Sequence, residues 1–195
     1  MQNSLIKRTN KIKTYAHKIR EEAIAIAVFI AMIWIVFLLD RFLPLEKLGL
    51  IPRELSGLLG IATMTFLHVD LGHIIGNTLP LVTLLALLAG SRADSRKVVI
   101  LVTVIGGALL WLFGRNSIHI GASLLIFGLA SFLLVSGFLE KRIIPMIISV
   151  VVALVYGTTM LSGILPWQTG VSWEGHLLGG VAGAFTAWIL VKKVI

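Results

Sequence analysis

Six apolar runs constrain this chain more than any other feature. Residues 23–39, 71–89, 98–113, 123–139, 143–161 and 175–191 contain no Asp, Glu, Lys or Arg. Each approaches the ~20 residues a helix needs to cross a hydrocarbon core. In lipid the backbone must satisfy its own hydrogen bonds, so such runs fold as helices. Only 13% of the residues are charged, against roughly a quarter in soluble domains. The expected fold is therefore an all-α membrane protein, a bundle of six transmembrane helices. The stretch 41–70 carries Pro44, Lys47, Pro52, Arg53 and Glu54. It is too interrupted to span and is expected in or near the interface. Cysteine is absent, which excludes disulfides, thiolate metal ligands and cysteine nucleophiles.

The net charge of +8 would suit a nucleic-acid binder, but its placement points to lipid instead. Lys7, Arg8, Lys11, Lys13, Lys18 and Arg20 immediately precede the first span, where basic residues face anionic headgroups on the cytoplasmic side. With the N-terminus inside, Arg92, Arg96, Lys97, Lys141, Arg142, Lys192 and Lys193 also fall inside. Only Arg41, Lys47, Arg53 and Arg115 fall outside. The bias predicts both termini in the cytoplasm. It divides the chain into a basic segment (1–22), a membrane domain (23–191) and a short tail (192–195). A cleaved signal peptide is not expected, because the first run is too long and no small-residue cleavage site follows it.

Polar side chains inside spans are rare and usually functional. Here they are His73 and Asn77 on the second span, Ser123 opening the fourth and His176 opening the sixth. These three spans run from outside to inside, and each polar residue lies near its outward end. The four side chains therefore share one depth and one side. Serine needs a base to become a nucleophile, and histidine is the usual one. Ser123 follows Gly121-Ala122 at a helix start, where unpaired backbone N–H groups suit an oxyanion. Gly175, Gly179, Gly183 and Ala187 form a small-residue ridge on the sixth span. Packed on the fourth span with help from Gly121 and Gly128, it would bring His176 to Ser123. His73 and Asn77, four apart, share a helix face. His68 is assigned to the adjoining loop, and His119 to an outer loop without an evident partner. Trp167 and Trp173 are expected as interfacial anchors. The acids Asp40, Asp70, Asp94, Glu140 and Glu174 all sit at span edges, so a Ser–His dyad fits better than a triad. No His-Glu-x-x-His helix or paired intramembrane aspartates are present, and neither metal nor cofactor is expected.

Three motifs now resemble those of one family, the rhomboid intramembrane serine proteases. They are His68-Val-Asp-Leu-Gly-His73-Ile-Ile-Gly-Asn77, Gly121-Ala-Ser123-Leu-Leu-Ile-Phe127-Gly128 and Gly175-His176-Leu-Leu-Gly179 with Gly183. They occur in the matching helices and order. The resemblance implies Ser123 as nucleophile and His176 as general base. It implies oxyanion stabilisation by His73, Asn77 and the Ser123 N–H. Phe127 would pack on the catalytic histidine, and Gly128 would serve helix packing. Substrates would be single-span membrane proteins, and the setting a bacterial cytoplasmic membrane with the site opening outward. The fifth span and the loop 163–173 would be the mobile side. Two positions depart from the pattern. Leu124 stands where glycine commonly follows the nucleophile, and Pro52-Arg53-Glu54 stands near the usual Trp-Arg pair of the first outer loop. The alternative is a catalytically inactive rhomboid-like protein that binds transmembrane clients, although such proteins usually lack Ser or His. A transporter would instead place carboxylates or helix breaks at mid-membrane.

Sixteen residue steps at ~1.5 Å put Ser123 about 24 Å above the inner end of its span. That leaves it below the surface of a core about 30 Å thick. In this cysteine-free chain, a Ser123→Cys variant should react with a water-soluble maleimide added from the outer side. Protection from the reagent would refute a water-filled cavity at this depth.

Overall fold

The computed structural model describes the backbone of residues 2–91, 93–167 and 170–192, with side chains from residue 17 to 191 within those ranges. The basic side chains at Lys7, Arg8, Lys11, Lys13, Arg92, Lys192 and Lys193, and the tail 193–195, lie outside what is described. Helix α1 (Gln2–Leu39) runs without a break from the basic segment into the first span. At ~1.5 Å per residue it is about 57 Å long, nearly twice the hydrocarbon thickness. A short helix α2 (Gly60–Thr63) follows, then α3 (Leu71–Gly90), α4 (Ser95–Phe113), α5 (Ser123–Glu140), α6 (Ile143–Gly163) and α7 (Trp173–Lys192). All but α2 are long and apolar enough to cross a membrane. No strand occurs among the described residues, and the chain is a six-span helical bundle.

The order of burial identifies the centre. In α5, 61% of the span is buried inside the protein, against 11% in α1 and 17% in α6. Phe132, Leu125, Leu129 and Leu133 of α5 are almost wholly enclosed. In lipid, apolar faces gain little by meeting one another, so close packing must hold the helices together. The α5–α7 contact achieves this with backbone. A Cβ on Gly183 would collide with the Gly128 carbonyl, and one on Gly179 with the Leu124 carbonyl. Gly128 in turn faces Val102 of α4, with the Gly179 oxygen 3.0 Å from where its Cβ would lie. The small-residue ridge meets α5 at Gly179 and Gly183. Gly175 instead faces Ser172 and Leu110, and Gly121 lies outside the α5–α7 contact.

The stretch between α1 and α3 is folded against the bundle as short turns of 3₁₀-helix (Leu45–Leu48, Leu55–Leu59, Met64–Phe66) around α2. Leu50 and His119 exchange both backbone hydrogen bonds, 3.0 and 2.8 Å long, and the Gly121 N–H donates to Met64 O at 2.8 Å. The loop that leads into Ser123 therefore hangs from this segment. Arg53 anchors the other side. Its guanidinium donates to the carbonyls of Leu112 (3.2 Å) and Gly114 (2.8 Å), and Trp111 Nε1 donates to Glu54 O at 2.8 Å. A cation at the C-terminus of α4 also meets the negative end of its dipole. Pro52-Arg53-Glu54 thus anchors the loop despite its departure from the expected pair.

Over-packing a tight contact costs ~1–3 kcal/mol and occasionally more. Gly183→Val should lower the thermal unfolding midpoint in detergent well beyond Gly180→Val, whose Cβ would meet open space. Equal midpoints for the two variants would contradict the backbone contact.

Candidate active site

Local sequence explains how each functional side chain reaches one end of the bundle. Helix α3 starts at Asp70, whose carboxylate accepts the His73 N–H at 2.8 Å as an N-cap. This fixes the first turn and turns His73 and Asn77 to one face. Gly121 holds φ at +115°, a conformation that side chains disfavour, and so lets the chain turn directly into α5. A Cβ at Gly121 would sit 2.7 Å from His73 Nε2 and 3.5 Å from Asn77 Nδ2. These two side chains therefore press against the backbone just ahead of Ser123. Helix α7 starts beyond Ser172, whose hydroxyl accepts the Gly175 N–H at 3.2 Å while its carbonyl accepts that of His176 at 3.1 Å.

His73, Asn77, Ser123 and His176 all line one cavity of about 1030 Å³. Its walls reach the loop residues Glu46, Val69, Arg115, His119 and Ser172. A second cavity of about 350 Å³ shares Asn77, Ser123 and His176. It is bounded by α3 (Gly76, Pro80), α5 (Ile126, Phe127) and α6 (Val155, Met160), and is largely apolar. The His176 ring stacks on Phe127, with centroids 4.1 Å apart and planes within 5°. Its Nδ1 lies 2.8 Å from Gly163 O. A carbonyl only accepts, so Nδ1 carries the proton, and in the neutral ring Nε2 keeps its lone pair. Among the described residues no hydrogen bond joins Ser123 to His176; the cavity brings the two together.

Two histidines turn out to belong to this region. His68 is fully buried in the loop before α3. Its Nε2 accepts from Asn77 Nδ2 at 3.1 Å, and its ring meets His73 edge-on at 4.9 Å. Its contact lay nine residues away across a loop, beyond a helix-face count. His119 was expected to have no partner, and that expectation is corrected. It is 3% exposed. Nδ1 lies 2.7 Å from Ser172 Oγ, and Nε2 donates to Arg115 O at 3.1 Å. Arg115 also pairs with the buried Glu174 at 3.2 Å and donates to Val171 O. These contacts join the α4–α5 loop to the start of α7 across more than fifty residues, a distance no local motif announces.

A family profile described as Rhomboid domain matches residues 55–193. The chain belongs to the rhomboid family. Uncharacterized proteins of Mycobacterium bovis (strain ATCC BAA-935 / AF2122/97) and Mycobacterium tuberculosis (strain CDC 1551 / Oshkosh) are each 38% identical to it over 178 residues, covering 85% of this chain and 73% of theirs. An uncharacterized protein of Mycobacterium leprae (strain TN) is 34% identical over 179 residues, covering 86% and 70%. In this rhomboid the departure at Leu124 has a local accommodation. The side chain is buried with Leu50, Met64 and Leu110 and lines neither cavity. Gly106 of α4 makes room for it, since a Cβ there would lie 2.8 Å from Leu124 Cδ2.

Burial, followed by the neighbouring His73, lowers the His68 pKa to about 4. Burial also lowers that of His119. Unfolded histidine titrates near 6.5, so between that value and about 4 the unfolded chain binds more protons. The stability held above pH ~6.5 is then lost as pH falls toward 4, by roughly 3 kcal/mol for His68 if fully expressed. Thermal melts between pH 7 and 4 should show this slope, and His68→Gln should flatten it in part. An unchanged slope in that variant would contradict the assignment.

Proposed function

We propose that this rhomboid is an intramembrane serine endopeptidase that hydrolyses peptide bonds in or near transmembrane segments. The observation that carries this reading is the state of His176. With Nδ1 donating to Gly163 and the ring stacked on Phe127, the free lone pair on Nε2 is the group a general base needs. Among the described residues, Ser123 is the one hydroxyl that shares both cavities with it. Hydrogen bonds between nucleophile and base often tighten only when substrate is bound.

In the proposed reaction Ser123 Oγ attacks the scissile carbonyl while Nε2 of His176 takes the hydroxyl proton. The oxyanion receives hydrogen bonds from the Ser123 N–H, Asn77 Nδ2 and His73 Nε2 as a donor. One Asn77 amide proton is already given to His68, which leaves the other for this role and holds the amide in place. Preorganised donors of this kind are worth about 2.7–4 kcal/mol each in related oxyanion holes. His176 then returns the proton to the leaving amine, and water repeats the sequence on the acyl-enzyme. The larger cavity supplies water. The apolar slot between α3 and α6 gives a substrate helix a way in from lipid, with α6 as the element that moves. In this reading both termini are cytoplasmic, the site opens to the opposite side, and the substrates are single-span membrane proteins.

A reconstituted cleavage assay on a model single-span substrate tests the function. Ser123→Ala and His176→Ala should each lose at least ~10³-fold in kcat, as triad members do elsewhere, and Asn77→Ala on the order of 10²-fold. Wild-type rates in Ser123→Ala would sink the Ser–His protease reading, whereas binding of the substrate without cleavage by the wild type would favour the client-binding role.

A further inference from the structure

Serine hydrolases usually orient the base with a carboxylate on its second nitrogen. Among the described residues no carboxylate reaches His176 Nδ1; its partner is the Gly163 carbonyl at 2.8 Å. Gly163 is the last residue of α6, so this is one of the four terminal carbonyls that lack a partner within the helix. It also stands at the negative end of the helix dipole, equivalent to roughly half an elementary charge. A donor and a developing cation are both served by that position. The residue type fits as well. A Cβ at position 163 would lie 2.5 Å from Phe127 Cζ and 3.1 Å from His176 Nδ1, so only glycine lets the end of α6, the imidazole and the Phe127 ring pack this closely.

We propose that the C-terminal carbonyl of α6, at Gly163, is the positioning group for His176, filling the place a carboxylate holds in a triad. The inference rests on the protease reading and adds the group that sets the tautomer and orientation of its base. One consequence concerns coupling. Helix α6 is one wall of the apolar slot, and Leu154 and Leu161 are exposed on its surface. Any outward swing of its end withdraws the acceptor, so the base is oriented only while α6 is seated.

The test uses the full chain in bicelles, labelled with [15N]histidine, at a pH where the ring is neutral. The His176 signals are identified by their loss in His176→Ala. The wild type should carry its proton on Nδ1, and a proton on Nε2 would overturn the proposal. Gly163→Ala should populate the other tautomer and lower kcat by on the order of ten- to a hundredfold, with KM changed less. The control is Gly157→Ala on the same helix, whose Cβ meets open space and which should keep the wild-type rate. Equal kcat in the two variants would also overturn it. Should Gly163→Ala fail to fold, the wild-type tautomer still decides. Failure of the protease reading itself would show separately, as cleavage that survives Ser123→Ala.

Discussion

The candidate site depends on how closely the backbones of α5 and α7 approach each other. Gly128 and Gly183 meet with carbonyl against α-carbon, and Gly179 meets the Leu124 carbonyl in the same way. Apolar side chains gain nothing by leaving lipid for one another, so this contact must rest on packing density and weak carbonyl interactions. Its geometry matters more than its strength. Ser123 lies five residues before Gly128, and His176 lies seven before Gly183. Fixing the glycine pair therefore fixes the height of both helix starts, and Ser123 and His176 come to the same level as a consequence. Phe127 then fills the space beside the pair and sets the plane of the imidazole.

A bundle contact fixes depth but leaves the loops free, and here hydrogen bonds do the rest. The segment before α5 is held on one side by Leu50 and Met64 and on the other by the start of α7. His119 is central to the second group. With Nε2 donating to Arg115 O, Nδ1 can accept from Ser172, whose oxygen in turn caps α7. A protonated ring would turn Nδ1 into a donor and reverse that bond. The lowered pKa, which follows first from burial, keeps the chain of bonds in one sense near neutral pH. Arg115 and Glu174 add a pair in which only the arginine is substantially exposed. Removing the arginine would leave a buried carboxylate uncompensated.

Much of this was legible in the sequence because membrane physics writes it in plain terms. Span length, the scarcity of polar residues in spans and the side of the basic loops together point to Ser123, His176, His73 and Asn77 before any family is considered. The four-residue spacing of small residues announced the α5–α7 contact, although Gly175 and Gly121 proved to serve other neighbours. What stayed hidden were contacts between distant segments that carry no periodicity. His119 looked idle because Ser172 lies fifty-three residues on. Leu124 stood out only as a departure, because its accommodation, the missing side chain of Gly106, sits on another helix. The partner of His176 Nδ1 was invisible for a deeper reason: it is a backbone carbonyl, and backbone leaves no mark in a sequence.

The same reason explains why a carboxylate is dispensable for the proposed chemistry. An ionised acid beside His176 would have to be desolvated next to Phe127 and the apolar slot, at a cost of several kcal/mol that only a close cation offsets. Glu174, two residues from His176, has such a cation in Arg115, and it is held at the level of the loops. A carbonyl at a helix end carries partial charge from the aligned peptide dipoles and requires no counter-ion. It is also already unpaired, so engaging it satisfies a group that lipid would otherwise leave stranded. In a low-dielectric bundle, the end of a helix is thus the acceptor that orients a histidine with the least desolvation. The arrangement of α6 over His176 is what that constraint favours.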